Sequence, residues 1–218
     1  MTSCSAWRLY VIVDRAAIGA RDLAEVAAGA IRGGADAIQL RDKAASTHLL
    51  IEEARRLVPL ARAAGIPLII NDRVDVARAV GADGVHVGQD DLPIEDARRI
   101  LGPSGLIGAS THSLEQARLA EHKGVDYIGL GPIFLTPTKP EYGSVGIGLI
   151  GLVVQNVRVP VLCIGGIDER NVTTVLEAGA HCVAVVRAVC AAQDPESAAR
   201  TLKQTIVQYV YTKAVPRI

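Results

Sequence analysis

Gln39, Arg41 and Lys43 occupy every second position of one short stretch, so on an extended chain their side chains share a face. Three donors on one face, two of them cationic, suit a multiply charged anion. A surface ion-pair cluster built on Asp42 is the plainer reading. The anion is favoured if that face is the inside of a barrel, where strand faces are otherwise apolar. Asn71-Asp72 closes the next apolar run, and Gly88-Gln89-Asp90-Asp91 closes the one after it. Each carboxylate alone could cap a helix or shape a turn. Together, leaving adjacent strands about 4.8 Å apart, they could converge on one hard cation. Magnesium keeps most of its waters and typically takes one or two protein carboxylates beside substrate phosphate oxygens. The spacing leaves open whether Asp90 or Asp91 is the second ligand.

Further polar groups follow later runs. In Ser110-Thr111-His112-Ser113, Ser113 and Gln116 read as a capping box, which accounts for neither Ser110 nor His112. The longest loop begins at Gly131 and ends near Gly148. It carries Thr136-Pro137-Thr138-Lys139-Pro140, two hydroxyls and a lysine between prolines, as in a stiffened loop that contacts phosphate. Gly165-Gly166-Ile167-Asp168 and Val186-Arg187-Ala188 complete the series. Backbone N–H groups at glycine turns and helix starts bind phosphate. The other histidines read as structural: His86 packed within a strand, and His48, His122 and His181 on helices or turns.

The elements that must position these groups alternate without exception. Strands are expected at Leu9–Val13, Ala37–Leu40, Leu68–Ile70, Gly84–Val87, Leu106–Ala109, Tyr127–Leu130, Val161–Ile164 and Val183–Val186. Ala-rich stretches of helical period lie between them: Asp22–Arg32, His48–Ala64, Val74–Val80, Ile94–Leu101, Leu114–Lys123, Leu149–Val157, Asn171–Ala178 and Pro195–Tyr211. Several end in a glycine C-cap, as in Gly33-Gly34-Ala35-Asp36, Gly81-Ala82-Asp83 and Gly124-Val125-Asp126. Strict alternation implies parallel pairing and right-handed crossovers. The near-continuous apolar strands imply a sheet covered on both faces. The α/β class follows, as a single (βα)8 TIM barrel over residues 1–218, near the lower end of the ~200–400 residue range of that fold. An open doubly wound sheet would need a Gly-rich turn after an early strand, and Asp14-Arg15-Ala16 is not one. In such a barrel the chemistry sits at the C-terminal ends of the strands, where every polar group named above falls. Small phosphorylated molecules are the expected ligands.

Composition narrows the class. Hydrophobic residues make up 50% of the 218, which argues against disorder. Aromatics are 3%, and 23 Lys plus Arg balance 23 Asp plus Glu. Neither base stacking nor a general basic field for nucleic acid or a membrane is expected. No apolar run is long enough to span a bilayer. Met1–Arg8 lacks the layout of a signal peptide, and a cytoplasmic location is the expectation. Cys4, Cys163, Cys182 and Cys190 have no metal-site spacing and read as buried free thiols. A homo-oligomer is left open.

Taken together the junctions resemble the thiamine-phosphate synthase family. The matching stretches are Gln39-Leu40-Arg41-Asp42-Lys43, Asn71-Asp72, Val85-His86-Val87-Gly88-Gln89-Asp90-Asp91, Gly108-Ala109-Ser110, Gly129-Leu130-Gly131-Pro132-Ile133-Phe134, Thr136-Pro137-Thr138-Lys139 and Gly165-Gly166-Ile167, in order along the chain. The resemblance implies a magnesium-dependent transferase joining hydroxymethylpyrimidine diphosphate to a thiazole phosphate, with release of pyrophosphate. It implies that Gln39, Arg41, Lys43, Asn71, Ser110 and Lys139 hold the pyrimidine diphosphate, with Arg41, Lys43, Lys139 and Ser110 as the catalytic set. Asp72 and Asp91 would hold magnesium. Thr136, Thr138, Gly166, Val186 and Arg187 would line the thiazole phosphate site. Arg187 departs from the family, whose members often carry serine there; a backbone N–H contact survives that change. Three rivals are weighed. A thiazole tautomerase of the same barrel family would use His112 for proton transfer, and would need neither the acidic pair nor the cationic cluster. A non-catalytic phosphate-binding barrel would bind without turnover. A phosphosugar isomerase would leave Asn71-Asp72 and Asp91 unexplained.

Overall fold

Eight strands pair parallel, each with the next in sequence and the last with the first, closing a barrel: β1 Leu9–Asp14, β2 Ala37–Arg41, β3 Leu68–Asn71, β4 Gly84–Val87, β5 Leu106–Thr111, β6 Tyr127–Leu130, β7 Val161–Ile164 and β8 Cys182–Val185. In this computed structural model, residues 4–136 and 143–214 are described. The principal helices are α2 Leu23–Arg32, α3 Thr47–Ala64, α4 Val74–Val80, α5 Ile94–Leu101, α6 Leu114–His122, α7 Gly148–Val154, α8 Val172–Glu177 and α10 Pro195–Ala214. Two four-residue helices were not expected: α1 Arg15–Ile18 after β1 and α9 Arg187–Cys190 after β8. They fill the first and last crossovers ahead of α2 and α10.

The strands alternate as the pleat requires. Leu9, Val11 and Val13 of β1, and Ile38 and Leu40 of β2, pack outward into the layer shared with the helices. Tyr10, Ile12, Ala37, Ile69, Tyr127, Leu162, Cys182 and Ala184 fill the barrel interior. A 3-10 turn at Cys4–Ala6 delivers Trp7 beneath this set, with its ring 5.4 Å from Tyr127 and 5.9 Å from Tyr10. The N-terminal end is thereby plugged with aromatic side chains. On β2 to β5 the inward positions nearest the C-terminal end are polar instead: Arg41, Asn71, His86 and Ser110.

Three of the helix-ending signals do more than end helices. The Asp36 carboxylate accepts the N–H groups of Arg8 and Leu9 at 2.7 and 2.9 Å. Asp83 accepts that of Leu68 at 2.9 Å, and Asp126 that of Ile107 at 2.8 Å. Each aspartate precedes an even-numbered strand and ties down the start of the odd-numbered strand before it. The open N–H groups at one end of the sheet are thus satisfied pairwise.

All four cysteines are buried and unpaired, as expected. Burial pushes the Cys4 thiol up to about 11 and those of Cys163 and Cys190 up to about 12. Because the thiolate is the reactive form, an aromatic disulfide reagent at mildly alkaline pH should label the native protein slowly, and label all four sites once denaturant is added. Fast native labelling would show that the barrel opens more readily than this burial allows.

Candidate active site

The C-terminal ends of the strands surround a cavity of about 530 Å³. Its floor is a chain of hydrogen bonds crossing the barrel. Gln39 Nε2 donates to the Tyr10 hydroxyl at 2.8 Å, and the Tyr10 and Tyr127 hydroxyls lie 3.0 Å apart. Tyr127 meets His86 Nδ1 at 3.3 Å, and His86 Nε2 meets Ser110 Oγ at 3.0 Å. Burial raises both phenols above their ordinary value, so they serve as neutral hydrogen-bonding groups. Gln39 and Ser110, both singled out in the sequence, are joined by three residues that were not. The expectation that His86 is packed away needs correction, since its ring lines the cavity. The period of two carried that signal: Val85 and Val87 pack outward, which turns His86 inward.

On the β2 side Arg41 lines the cavity, and Lys43, Asp72 and Asp91 follow at the neighbouring strand ends. Arg41 forms an ion pair with the buried Asp14, the last residue of β1. Lys43, at the more open rim, pairs with Asp72. Among the described residues Asp42 takes part in no ion pair; its carboxylate accepts the N–H groups of Ala44 and Ala45 at 2.9 and 3.0 Å. Asp72 is not a helix cap either, because Arg73 holds that position and makes no side-chain cap bond. Asp72 instead adopts a positive φ of 60°, the one such non-glycine position among the described residues. This conformation is uncommon outside glycine, asparagine and aspartate. Burial raises the Asp72 carboxyl above its ordinary value; the Lys43 ammonium opposes that rise and the neighbouring Asp91 carboxylate adds to it. The side chain that meets Asp72 is therefore Asp91, which also accepts the Gly88 N–H at 2.7 Å, while Asp90 is exposed. Asp72 and Asp91 thus neighbour each other just past the ends of β3 and β4.

These two carboxylates are hard oxygen donors. Among the described residues, no group of three or more His, Cys, Asp or Glu gathers at one point. Such a set suits magnesium, which completes its shell with water and substrate oxygens, better than calcium, which takes six to eight oxygen ligands.

The opposite wall comes from the ends of β6, β7 and β8. Thr136, Gly165, Gly166, Val186 and Arg187 line it. Thr138 and Lys139 lie outside the described residues. Gly165 and Gly166 have φ of 103° and 64°. A Cβ on Gly166 would stand 2.8 Å from the Leu135 carbonyl oxygen, so both backbone angle and space require glycine there. Arg187 is exposed and opens α9, with Val186 just before it. His112 Nδ1 lies 2.5 Å from the Gly131 carbonyl oxygen, which makes that nitrogen the donor. The capping box is half as expected: Ser113 Oγ accepts the Gln116 N–H at 3.1 Å, but the Gln116 side chain reaches back to the N–H of His112 rather than that of Ser113.

Comparison with known proteins bears on the same residues. The family model described as thiamine monophosphate synthase matches residues 9–189. The thiamine-phosphate synthase of Chloroflexus aurantiacus is 51% identical, over 92% of this chain and 93% of its own length. That of Roseiflexus castenholzii is 49% identical, over 92% and 88%. Among solved structures, the thiamine phosphate pyrophosphorylase of Pyrococcus furiosus superposes with a TM-score of 0.88 at 39% identity, covering 95% of this chain and 98% of that one. A 3-hexulose-6-phosphate synthase, at 20% identity and a TM-score of 0.65 over 90% and 98%, shares the fold alone. With a closed (βα)8 barrel, a cavity at its C-terminal mouth and relatives of this identity over nearly its whole length, the chain belongs to the thiamine monophosphate synthase family and is a transferase.

Proposed function

We propose that this cavity joins hydroxymethylpyrimidine diphosphate to 4-methyl-5-(2-phosphoethyl)-thiazole, or its carboxylate form, giving thiamine phosphate and pyrophosphate, with carbon dioxide also released when the carboxylate form is used. The observation that carries the reading is the division of the cavity. Arg41 lines the β2 side, with Lys43, Asp72 and Asp91 at the strand ends beside it, and the Gly165-Gly166 turn with Val186 and Arg187 lines the β7–β8 side. One side suits a diphosphate and the other a monophosphate, across a floor of neutral donors and acceptors. Gln39, Asn71 and Ser110 hold the pyrimidine end, while Arg41, Lys43 and Lys139 hold the diphosphate. Thr136, Thr138, Gly166, Val186 and Arg187 receive the thiazole phosphate. Asp72 and Asp91 are the residues that hold magnesium, which when bound supplies positive charge beside the diphosphate.

The chemistry matches what these side chains supply. The amino group of the pyrimidine donates electrons to the ring, so the exocyclic methylene can part from oxygen as a stabilised cation, the bonding pair leaving with pyrophosphate. The lone pair of the thiazole nitrogen then forms the C–N bond. No proton is abstracted and no enzyme nucleophile is used. The protein contributes cationic donors aimed at the leaving group and the placement of two reactants. The tautomerase rival would centre on His112, and it makes no use of the Arg41, Lys43 and Asp72 cluster.

Pyrophosphate release from purified protein tests the assignment. Release is expected only with both substrates and magnesium present together. Release that persists without the thiazole phosphate would reduce the protein to a hydrolase. No release from the complete mixture would retire the transfer reaction here.

A further inference from the structure

We propose that Asp14 is a positioning residue for this transfer, acting through Arg41 to hold the guanidinium against the cavity wall in the pose that receives the diphosphate. The proposal rests on the reading of Arg41 as a diphosphate contact. Asp14 and Arg41 face each other in the register of β1 and β2. The aspartate is 2% exposed and the arginine side chain 15%. Both carboxylate oxygens are occupied. Oδ1 accepts the Ala16 N–H at 2.8 Å and caps α1, and Oδ2 takes Nη1 of Arg41.

Capping alone does not call for this arrangement. One oxygen suffices to cap, and serine or asparagine would supply it without burying a charge. A buried carboxylate is costly unless it is paired, and here its partner is the one arginine on the β2 face of the cavity. The guanidinium has five donors in a fixed fork. Asp14 engages it at Nη1 and leaves the remaining donors for a planar pair of phosphate oxygens. Without Asp14, a long side chain would divide its population among rotamers and lose that alignment.

The sign of the effect separates positioning from simple charge. A carboxylate beside a diphosphate subtracts attraction, so if charge were the whole of its influence, removing it would tighten binding. Positioning gives the opposite result.

The test is a cycle of Asp14→Asn, Arg41→Ala and the double variant. Its readouts are kinetics in both substrates, calorimetric binding of inorganic pyrophosphate with magnesium, and thermal melting. Asn keeps the acceptor for Ala16, so the fold should be retained. Asp14→Asn is expected to weaken pyrophosphate binding and to lower kcat/KM for the diphosphate substrate by roughly 10- to 100-fold, the scale set by a misplaced catalytic contact. KM for the thiazole phosphate should not change, and the double variant should be no worse than Arg41→Ala. Asp14→Ser, which also keeps a cap, should repeat the loss by an independent route. Pyrophosphate binding as tight as wild type or tighter in Asp14→Asn, or an additive loss in the double variant, overturns the proposal. Normal activity in Arg41→Ala would instead retire the diphosphate assignment of Arg41, and this inference with it. An impaired Arg41→Ala beside a normal Asp14→Asn retires Asp14 alone.

Discussion

Asp91→Asn is expected to lower turnover by about 100-fold or more, and Asp72→Asn by a comparable factor, as for other groups placed where charge develops in a transition state. The two substitutions differ in what else they disturb. Asn at position 91 can still accept the Gly88 N–H, so the turn after β4 survives and mainly charge is lost. At position 72 the ion pair with Lys43 goes as well. If the shared role is to hold magnesium, both variants should need more magnesium for half-maximal rate, and raising its concentration should restore part of the activity of Asp91→Asn. If Asp72 serves only to anchor Lys43, Asp72→Asn and Lys43→Ala should lose similar activity while Asp91→Asn stays near wild type. A magnesium titration of the three variants distinguishes these outcomes. An unchanged magnesium requirement in both aspartate variants would remove the metal role.

Most of the framework was legible because strand and helix periods alternate cleanly along the chain. β4, β6 and β7 run as read, β8 is shifted back by one residue, and the other strands run one or two residues longer. β1, β2, β3 and β5 run one or two residues further toward the mouth, where the polar residues Asp14, Arg41, Asn71 and Thr111 continue the ladder although they interrupt the apolar run. The helices α1 and α9 were invisible because four residues make about one turn, too little for a hydrophobic period to appear. For the site, spacing of two found Gln39 and Arg41 because the inward face of β2 has no other polar explanation. Asp14, Tyr10 and Tyr127 were missed for a shared reason. Each completes a partnership with a residue distant in sequence, and a single strand carries no mark of what faces it across the barrel. Asp36, Asp83 and Asp126 were read only as the ends of helix stop signals. Their second role depends on the preceding strand lying within reach, a consequence of closure rather than of local sequence.

Gly108→Ala is expected to cost about 3 kcal/mol, the upper part of the range for forcing atoms into a packed interior, and to lower Tm by roughly 6–12 °C for a chain of this size. An added Cβ at this position would stand 2.2 Å from Cζ of Tyr127 and 2.5 Å from its hydroxyl. Real Cβ atoms do not approach so closely, so the ring must move. It is poorly placed to do so. Tyr127 is fully buried, edge-on to Trp7 at 5.4 Å, with Tyr10 at 5.9 Å and His86 at 5.5 Å. Displacing it also separates the hydroxyl from Tyr10 and His86, which breaks the hydrogen-bond chain from Gln39 to Ser110 at its centre. Activity measured well below Tm should therefore fall along with stability, a coupling that a purely peripheral packing defect would not produce. Gly148→Ala is the matched control. A Cβ there meets nothing within 4 Å, and the residue opens α7, where alanine is the better helix former. It should leave both Tm and turnover near wild type. A Gly108→Ala protein that melts and turns over like Gly148→Ala would mean that the barrel interior yields around Tyr127, and that the floor of the cavity does not depend on where that ring is held.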